Sequence, residues 1–186
     1  MKNALILHGT QGNSNSNWFP WLKVELEKKG YKVWLPDLPG SDFPSLKAIN
    51  QFIFSNKDWK FNPESIIVGH SSGAIAILSI LNELPEDAVL DKCIFVSYFE
   101  KSSSGGEWGP NKNLFDYNFD FAKIKRHAKK FIIVHSDNDP YGPLEGAKNL
   151  AEKLGGELII KNGQGHFNLE VGPQYKQFPF LLTLID

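Results

Sequence analysis

Ser65-Ile66-Ile67-Val68-Gly69-His70-Ser71-Ser72-Gly73-Ala74-Ile75-Ala76-Ile77-Leu78 decides the fold. An apolar, β-branched run leads directly into Gly-His-Ser-Ser-Gly, and an apolar helix-forming run follows at once. This is a G-x-S-x-G pattern in a strand–turn–helix setting, the context in which the pattern carries chemistry. The turn leaves no room for a side chain on either flank, hence glycine at both. Ser71 is expected at the apex, with its hydroxyl exposed above a sheet. The backbone N–H of Ser72 opens the helix and is expected to point toward an oxyanion.

Outward from that stretch, short apolar runs alternate with helical patterns. Strands are expected at Ala4–Leu7, Lys32–Leu35, Ser65–Val68, Lys92–Ser97, Phe131–His135 and Glu157–Ile160. Several are unbroken Ile/Val/Leu/Phe runs without alternation, as in strands covered on both faces. Helices are expected at Pro20–Lys29, with Leu22 and Leu26 on one face, Trp18 a turn ahead and Gly30 as the stop. Others are expected at Ser72–Asn82, at Pro143–Leu154 before Gly155-Gly156, and in a short piece from Pro179. Strand and helix in alternation imply a parallel sheet with right-handed crossovers.

The whole chain limits what else to expect. Its 186 residues fit one domain, 1–186, with a real core. A net charge of −1 gives no reason to expect nucleic acid or an anionic membrane as partner. The basic run Lys123-Ile124-Lys125-Arg126-His127-Ala128-Lys129-Lys130 reads as a solvated helix face. Cys93 is the only cysteine, so an internal disulfide is ruled out, and its apolar run reads as packing. No apolar stretch has signal-peptide or membrane-spanning length, and no Asn-x-Ser/Thr sequon occurs, so a cytoplasmic location is the default. A Gly-x-Gly-x-x-Gly loop, a Walker loop, a Cys pair and His-Glu-x-x-His are all missing, so neither cofactor nor metal is expected.

A serine hydroxyl is a poor nucleophile at neutral pH; it needs a base, and the base needs an orienting acid. In this strand–turn–helix class the chain order is Ser, then Asp or Glu, then His. Two loops fit: His135-Ser136-Asp137-Asn138-Asp139-Pro140-Tyr141 after the fifth strand, and Lys161-Asn162-Gly163-Gln164-Gly165-His166-Phe167 after the sixth. Spacing leaves the choice between Asp137 and Asp139 open. Of the other histidines, His70 is the variable residue of the turn, His127 belongs to the basic run and His135 ends a strand. His8 ends the first strand in Leu7-His8-Gly9-Thr10. That His-Gly pair resembles the loop that supplies a second oxyanion donor, here the Thr10 N–H. Trp18, Phe19 and Trp21 read as core and helix-docking residues, with Trp18 and Phe19 close enough in sequence to that loop to border a pocket.

These residues carry a resemblance. The chain resembles the YdeN-like / retinoblastoma-binding protein nine family of serine hydrolases within the α/β-hydrolases. The matching pieces are Leu5-Ile6-Leu7-His8-Gly9, Leu35-Pro36-Asp37-Leu38-Pro39, Gly69-His70-Ser71-Ser72-Gly73, Ser136-Asp137-Asn138-Asp139-Pro140-Tyr141 and Gly165-His166-Phe167-Asn168, and they span nearly the whole length. The resemblance implies Ser71 as nucleophile, His166 as base and Asp139, directly before proline, as acid. The tail after Asn168 and the Ser102–Asn113 loop match less clearly. The expected architecture is a compact α/β-hydrolase fold: a six-stranded parallel sheet in the order 2-1-3-4-5-6, helices on both faces, no separate lid domain. The expected activity is hydrolysis of a small ester, thioester or amide through an acyl-enzyme, with a small-molecule acyl substrate as partner. A binding protein on the same fold and an acyltransferase are the competing readings. The oligomeric state stays open, with a monomer as default. A cover for the pocket is expected only from about Gly105 to Phe121, with Trp108, Phe115, Tyr117 and Phe119.

Overall fold

The structure, a computed structural model, describes residues 1–100 and 109–185. Its centre is a sheet of six parallel strands: β1 (Asn3–Leu7), β2 (Lys32–Trp34), β3 (Ser65–His70), β4 (Leu90–Val96), β5 (Ala128–Ser136) and β6 (Glu157–Lys161). They lie in the order β2-β1-β3-β4-β5-β6, as the sequence leads one to expect. The register is continuous across the middle: Leu5 pairs Ile67, Ile67 pairs Cys93, and Cys93 pairs Phe131. Winding reverses between β1 and β3, which places the end of β3 at the switch point where such sheets bind ligands.

Alternation along each strand divides the apolar residues between two cores. Leu5, Leu7, Ile67, Cys93, Phe95 and Ile133 face helices α2 (Leu46–Ser55), α3 (Ser72–Glu83) and α5 (Leu144–Leu154). Ala4, Ile6, Val68, Ile94, Val96 and Val134 face α1 (Phe19–Lys28) and the C-terminal α6 (Leu182–Ile185). Burial on both faces explains the unbroken apolar runs. Trp18, Phe19, Leu22 and Leu26 are fully buried under the second face, so Trp18 and Phe19 are core and do not border the cleft described below. Helix α3 is buried along almost its whole length, from Ser72 to Leu81. A 3-10 turn at Pro179–Leu181 leads into α6, where the proline announces it.

Two features differ from the sequence reading. Helix α2 is not anticipated, although Leu46, Ile49 and Ile53 bury one face and the Ser45 hydroxyl caps it by accepting from the Ala48 N–H. The basic run is not one solvated helix. It divides into the end of α4 (Phe121–Ile124), a 3-10 turn at Lys125–His127 and the first residues of β5. Ile124 and His127 are buried; the His127 Nδ1–H donates to the Ala88 carbonyl at 2.7 Å. The cationic side chains project from a helix end and a strand start, two elements with different periods. Among the described residues no helix is long and apolar enough to cross a membrane.

Candidate active site

Ser71 sits between the last residue of β3 and the first of α3, with φ 58° and ψ −124°. A positive φ is costly for a non-glycine residue and persists only where the surroundings impose it. They do so here. The Ser71 N–H donates to the Val96 carbonyl at 2.9 Å, and the Ala74 N–H donates to the Ser71 carbonyl at 2.9 Å. The flanking glycines let three backbones meet: a Cβ on Gly69 would stand 2.4 Å from the Gly73 carbonyl oxygen, and one on Gly73 would stand 2.4 Å from that of Leu7.

The loop after β1 passes directly beside the apex. A Cβ on Gly9 would lie 2.8 Å from Ser71 Cβ. The loop is fixed by His8, whose Nδ1–H donates to the Gly9 carbonyl and whose Nε2 accepts the Leu38 N–H, both at 2.8 Å. Both ring positions are thereby assigned to the neutral form. Burial first of all lowers the His8 pKa, against the Gly9 hydrogen bond and the Asp37 charge. The Thr10 hydroxyl lies 2.9 Å from the Ser72 hydroxyl and 2.6 Å from Asn111 Oδ1. Carboxamide oxygen only accepts, so the Thr10 proton goes to Asn111. Ser72 is the first residue of α3, a position whose main-chain N–H has no intrahelical carbonyl to donate to.

His166 lies in the loop after β6, Asp139 in the loop after β5. His166 Nδ1 is 2.9 Å from both carboxylate oxygens of Asp139. The side chains are almost sealed from solvent, 6% exposed for His166 and 0% for Asp139. Burial by itself would raise the Asp139 carboxyl. The hydrogen bond and charge of His166 oppose this, with the Tyr141 N–H and the nearby Ser97 hydroxyl, and hold it below the usual carboxylate range. With Nδ1–H given to Asp139, Nε2 is the His166 nitrogen left to take a proton. Ser71 and His166 line one cleft of about 400 Å³, with Thr10, Gln11, Phe99, Pro110 and Asn111 among its walls.

Asp137 is not at this centre. It accepts the Gly163 N–H at 2.7 Å, next to Ser136 Oγ, which accepts the Gln164 N–H at 2.9 Å, and Asn138 Oδ1, which accepts the Gly165 N–H at 2.8 Å. Three consecutive side chains of one loop thus hold the backbone of the loop that carries His166. The sequence reading misses this lacing, and also a rim formed by Tyr141, Asn168 and Glu170. There the Tyr141 hydroxyl donates to Glu170 at 2.8 Å, the Asn168 amide donates to it at 3.1 Å, and the Tyr141 ring stands edge-on to His166 at 4.7 Å. Of the expected cover, Gly105 and Trp108 lie outside the described residues, as do positions 102–108 of the Ser102–Asn113 loop. Gly109, Pro110 and Asn111 do reach the cleft. Phe115, Tyr117 and Phe119 do not; they pack against the core on the α3 side. Cys93 is buried, and desolvation pushes its thiol pKa up, consistent with packing rather than reactivity. Among the described residues no group of three or more His, Cys, Asp or Glu side chains could hold a metal ion.

This sheet, with a strained serine at the β3–α3 turn, defines an α/β-hydrolase fold, and the chain belongs to the serine hydrolase family, whose model matches residues 4–186. Among its relatives is YdeN of Bacillus subtilis (strain 168), 30% identical over 170 residues that cover 89% of this chain and 86% of that one. The serine hydrolase RBBP9 of Rattus norvegicus is 26% identical over 167 residues, covering 88% and 86%. The crystal structure of the B. subtilis ydeN product superimposes with a TM-score of 0.89 at 26% identity, over 100% of this chain and 97% of that one.

Proposed function

We propose that the protein is a carboxylesterase-like serine hydrolase that cleaves small esters, thioesters or amides through an acyl-enzyme on Ser71. The observation that carries this reading is the buried His166–Asp139 hydrogen bond opening onto the same cleft as the strained Ser71. His166 Nε2 takes the Ser71 proton as Oγ bonds to the substrate carbonyl carbon. The carbonyl π electrons move to oxygen, and the oxyanion is received by the N–H groups of Ser72 and Thr10. Collapse expels the leaving group, which takes the proton from His166. Water then repeats the sequence against the ester of Ser71, with His166 again as base, and releases the acid. Asp139 holds the imidazole in the Nδ1–H tautomer and offsets its charge when protonated. The cleft, about 400 Å³, lies toward the small end of the range for small-molecule sites, which supports short acyl groups as the first substrates to try.

Hydrolysis of p-nitrophenyl esters from acetate to palmitate tests both halves of the reading. The expected result is a first burst of p-nitrophenol equal to the enzyme concentration, with kcat/KM highest for the short chains. Ser71→Ala and His166→Ala are each expected to lose at least about 10³-fold in kcat. Undiminished turnover in either variant contradicts the triad. A kcat/KM climbing steadily to palmitate contradicts the small-substrate reading alone.

A further inference from the structure

Of the buried imidazoles that have no part in that scheme, His70 is the one packed against the base. His70 is the last residue of β3, immediately before Ser71, and is buried. Its Nε2 lies 2.7 Å from the main-chain oxygen of His166. A carbonyl oxygen can only accept, so the hydrogen is on Nε2. The two imidazoles are tilted against each other with centroids 4.7 Å apart. Behind His70 stand Trp18 and Phe19, at 5.9 and 5.8 Å, which leave its ring little freedom to turn.

The loop that receives this hydrogen bond is a demanding one. Gly165 and Phe167, on either side of His166, both have positive φ, 56° and 51°. For Phe167, a bulky residue with a side chain beyond Cβ, that conformation is strained and needs external support. The next carbonyl is held in the same manner, since Trp18 Nε1–H donates to the Phe167 oxygen at 3.0 Å. Two ring N–H donors from beneath the sheet's end therefore fix two successive carbonyls of the His166 loop. His70 is the one that also adjoins the nucleophile in sequence, so a single residue ties the backbone at Ser71 to the backbone at His166. Burial, and then the neighbouring His166, push the His70 pKa down to about 3, so no second positive charge arises beside His166 when it holds the serine proton.

We propose that His70 is a positioning residue for hydrolysis: its Nε2–H, donated to the His166 carbonyl, registers the base on the strand that carries the nucleophile, and its ring is the surface against which the His166 imidazole is set. The proposal rests on the reading of Ser71 and His166 as nucleophile and base.

The test compares His70→Met, which fills the volume without a donor, with His70→Gln, whose Nε2–H reaches the same position. With p-nitrophenyl acetate, His70→Met is expected to lose about 10²-fold in kcat with KM changed by no more than about threefold, as for a displaced catalytic group. His70→Gln is expected to recover most of that loss. A folded His70→Met with wild-type kcat, or a His70→Gln as impaired as His70→Met, overturns the proposal. Imidazole ¹⁵N–¹H spectra of the unaltered protein decide it even if neither variant folds. His70 is expected as a neutral Nε2–H ring at pH 6, and an Nδ1–H tautomer or a protonated ring there overturns it. Failure of the underlying reading looks different. Turnover that survives Ser71→Ala or His166→Ala removes nucleophile or base, whereas inactive Ser71 and His166 variants beside a fully active His70→Met remove the positioning role alone.

Discussion

Asp137 and Asp139 stand two residues apart in one loop, and their surroundings give them different work. Asp139 is fully enclosed and shares the His166 Nδ1–H between its two oxygens, whereas Asp137 is exposed and accepts one loop N–H from Gly163. Asp139→Asn places an amide donor against Nδ1 and favours the wrong tautomer, so kcat is expected to fall by about 10⁴-fold. Asp137→Asn weakens one solvent-exposed hydrogen bond, an effect of about 1 kcal/mol on stability, and leaves kcat within about tenfold. Steady-state kinetics of the two purified variants check this, and a reversed order contradicts the assignment of the acid. Spacing does not separate these two residues, because both fall in the loop after the fifth strand; the family resemblance singles out Asp139, and the structure brings it to His166. Residues whose roles come from contacts distant in sequence are silent until the chain is folded. His8 holding Leu38 and His70 holding the His166 carbonyl are of that kind.

Secondary-structure elements are legible where composition and period agree. The six strands centre on short apolar runs closed by turn residues, and all six appear in the expected order. Helix α2 is obscured because Asn50 interrupts its apolar face. Asn50 is buried there through a reciprocal pair: its Nδ2–H donates to the Ser79 carbonyl at 3.2 Å, and the Ser79 hydroxyl donates to its Oδ1 at 3.0 Å. A polar residue satisfied across a helix–helix contact looks, in sequence, like a break in the stripe. The turn between β3 and α3 is the reverse case, where a short motif specifies a three-backbone meeting. Gly73→Ala would push a methyl into the Leu7 carbonyl, part of the central β1 strand that cannot yield. The loss is expected to be roughly 3 kcal/mol or more, read as a lower urea midpoint, with fluorophosphonate reactivity reduced as well. An unchanged midpoint contradicts the close approach of α3 to β1.

At the scale of the whole molecule, three buried histidines make stability depend on pH in one direction. Burial is the leading cause that lowers the pKa values of His8, His70 and His135, to about 3 for His70. The unfolded chain binds protons at these rings near an ordinary pKa of about 6.5, and the native chain does not. Their full contribution is therefore present above about pH 6.5 and is lost as pH falls from there toward the native values. At about 1.4 kcal/mol per pH unit, His70 alone removes about 2 kcal/mol between pH 6.5 and pH 5. Asp139, also lowered, adds a loss of the same sign at more acidic pH. Urea unfolding at pH 7.5 and pH 5 is expected to show the fall, and equal stabilities contradict the buried neutral rings.

The hydrolytic reading depends on one atom, Ser71 Oγ, being the group that attacks. Reaction of the intact protein with a fluorophosphonate, followed by peptide mass spectrometry, tests this directly. One phosphonyl group per chain, located on Ser71 and absent from Ser71→Ala, is the predicted result; modification at another residue, or labelling that survives Ser71→Ala, would contradict it.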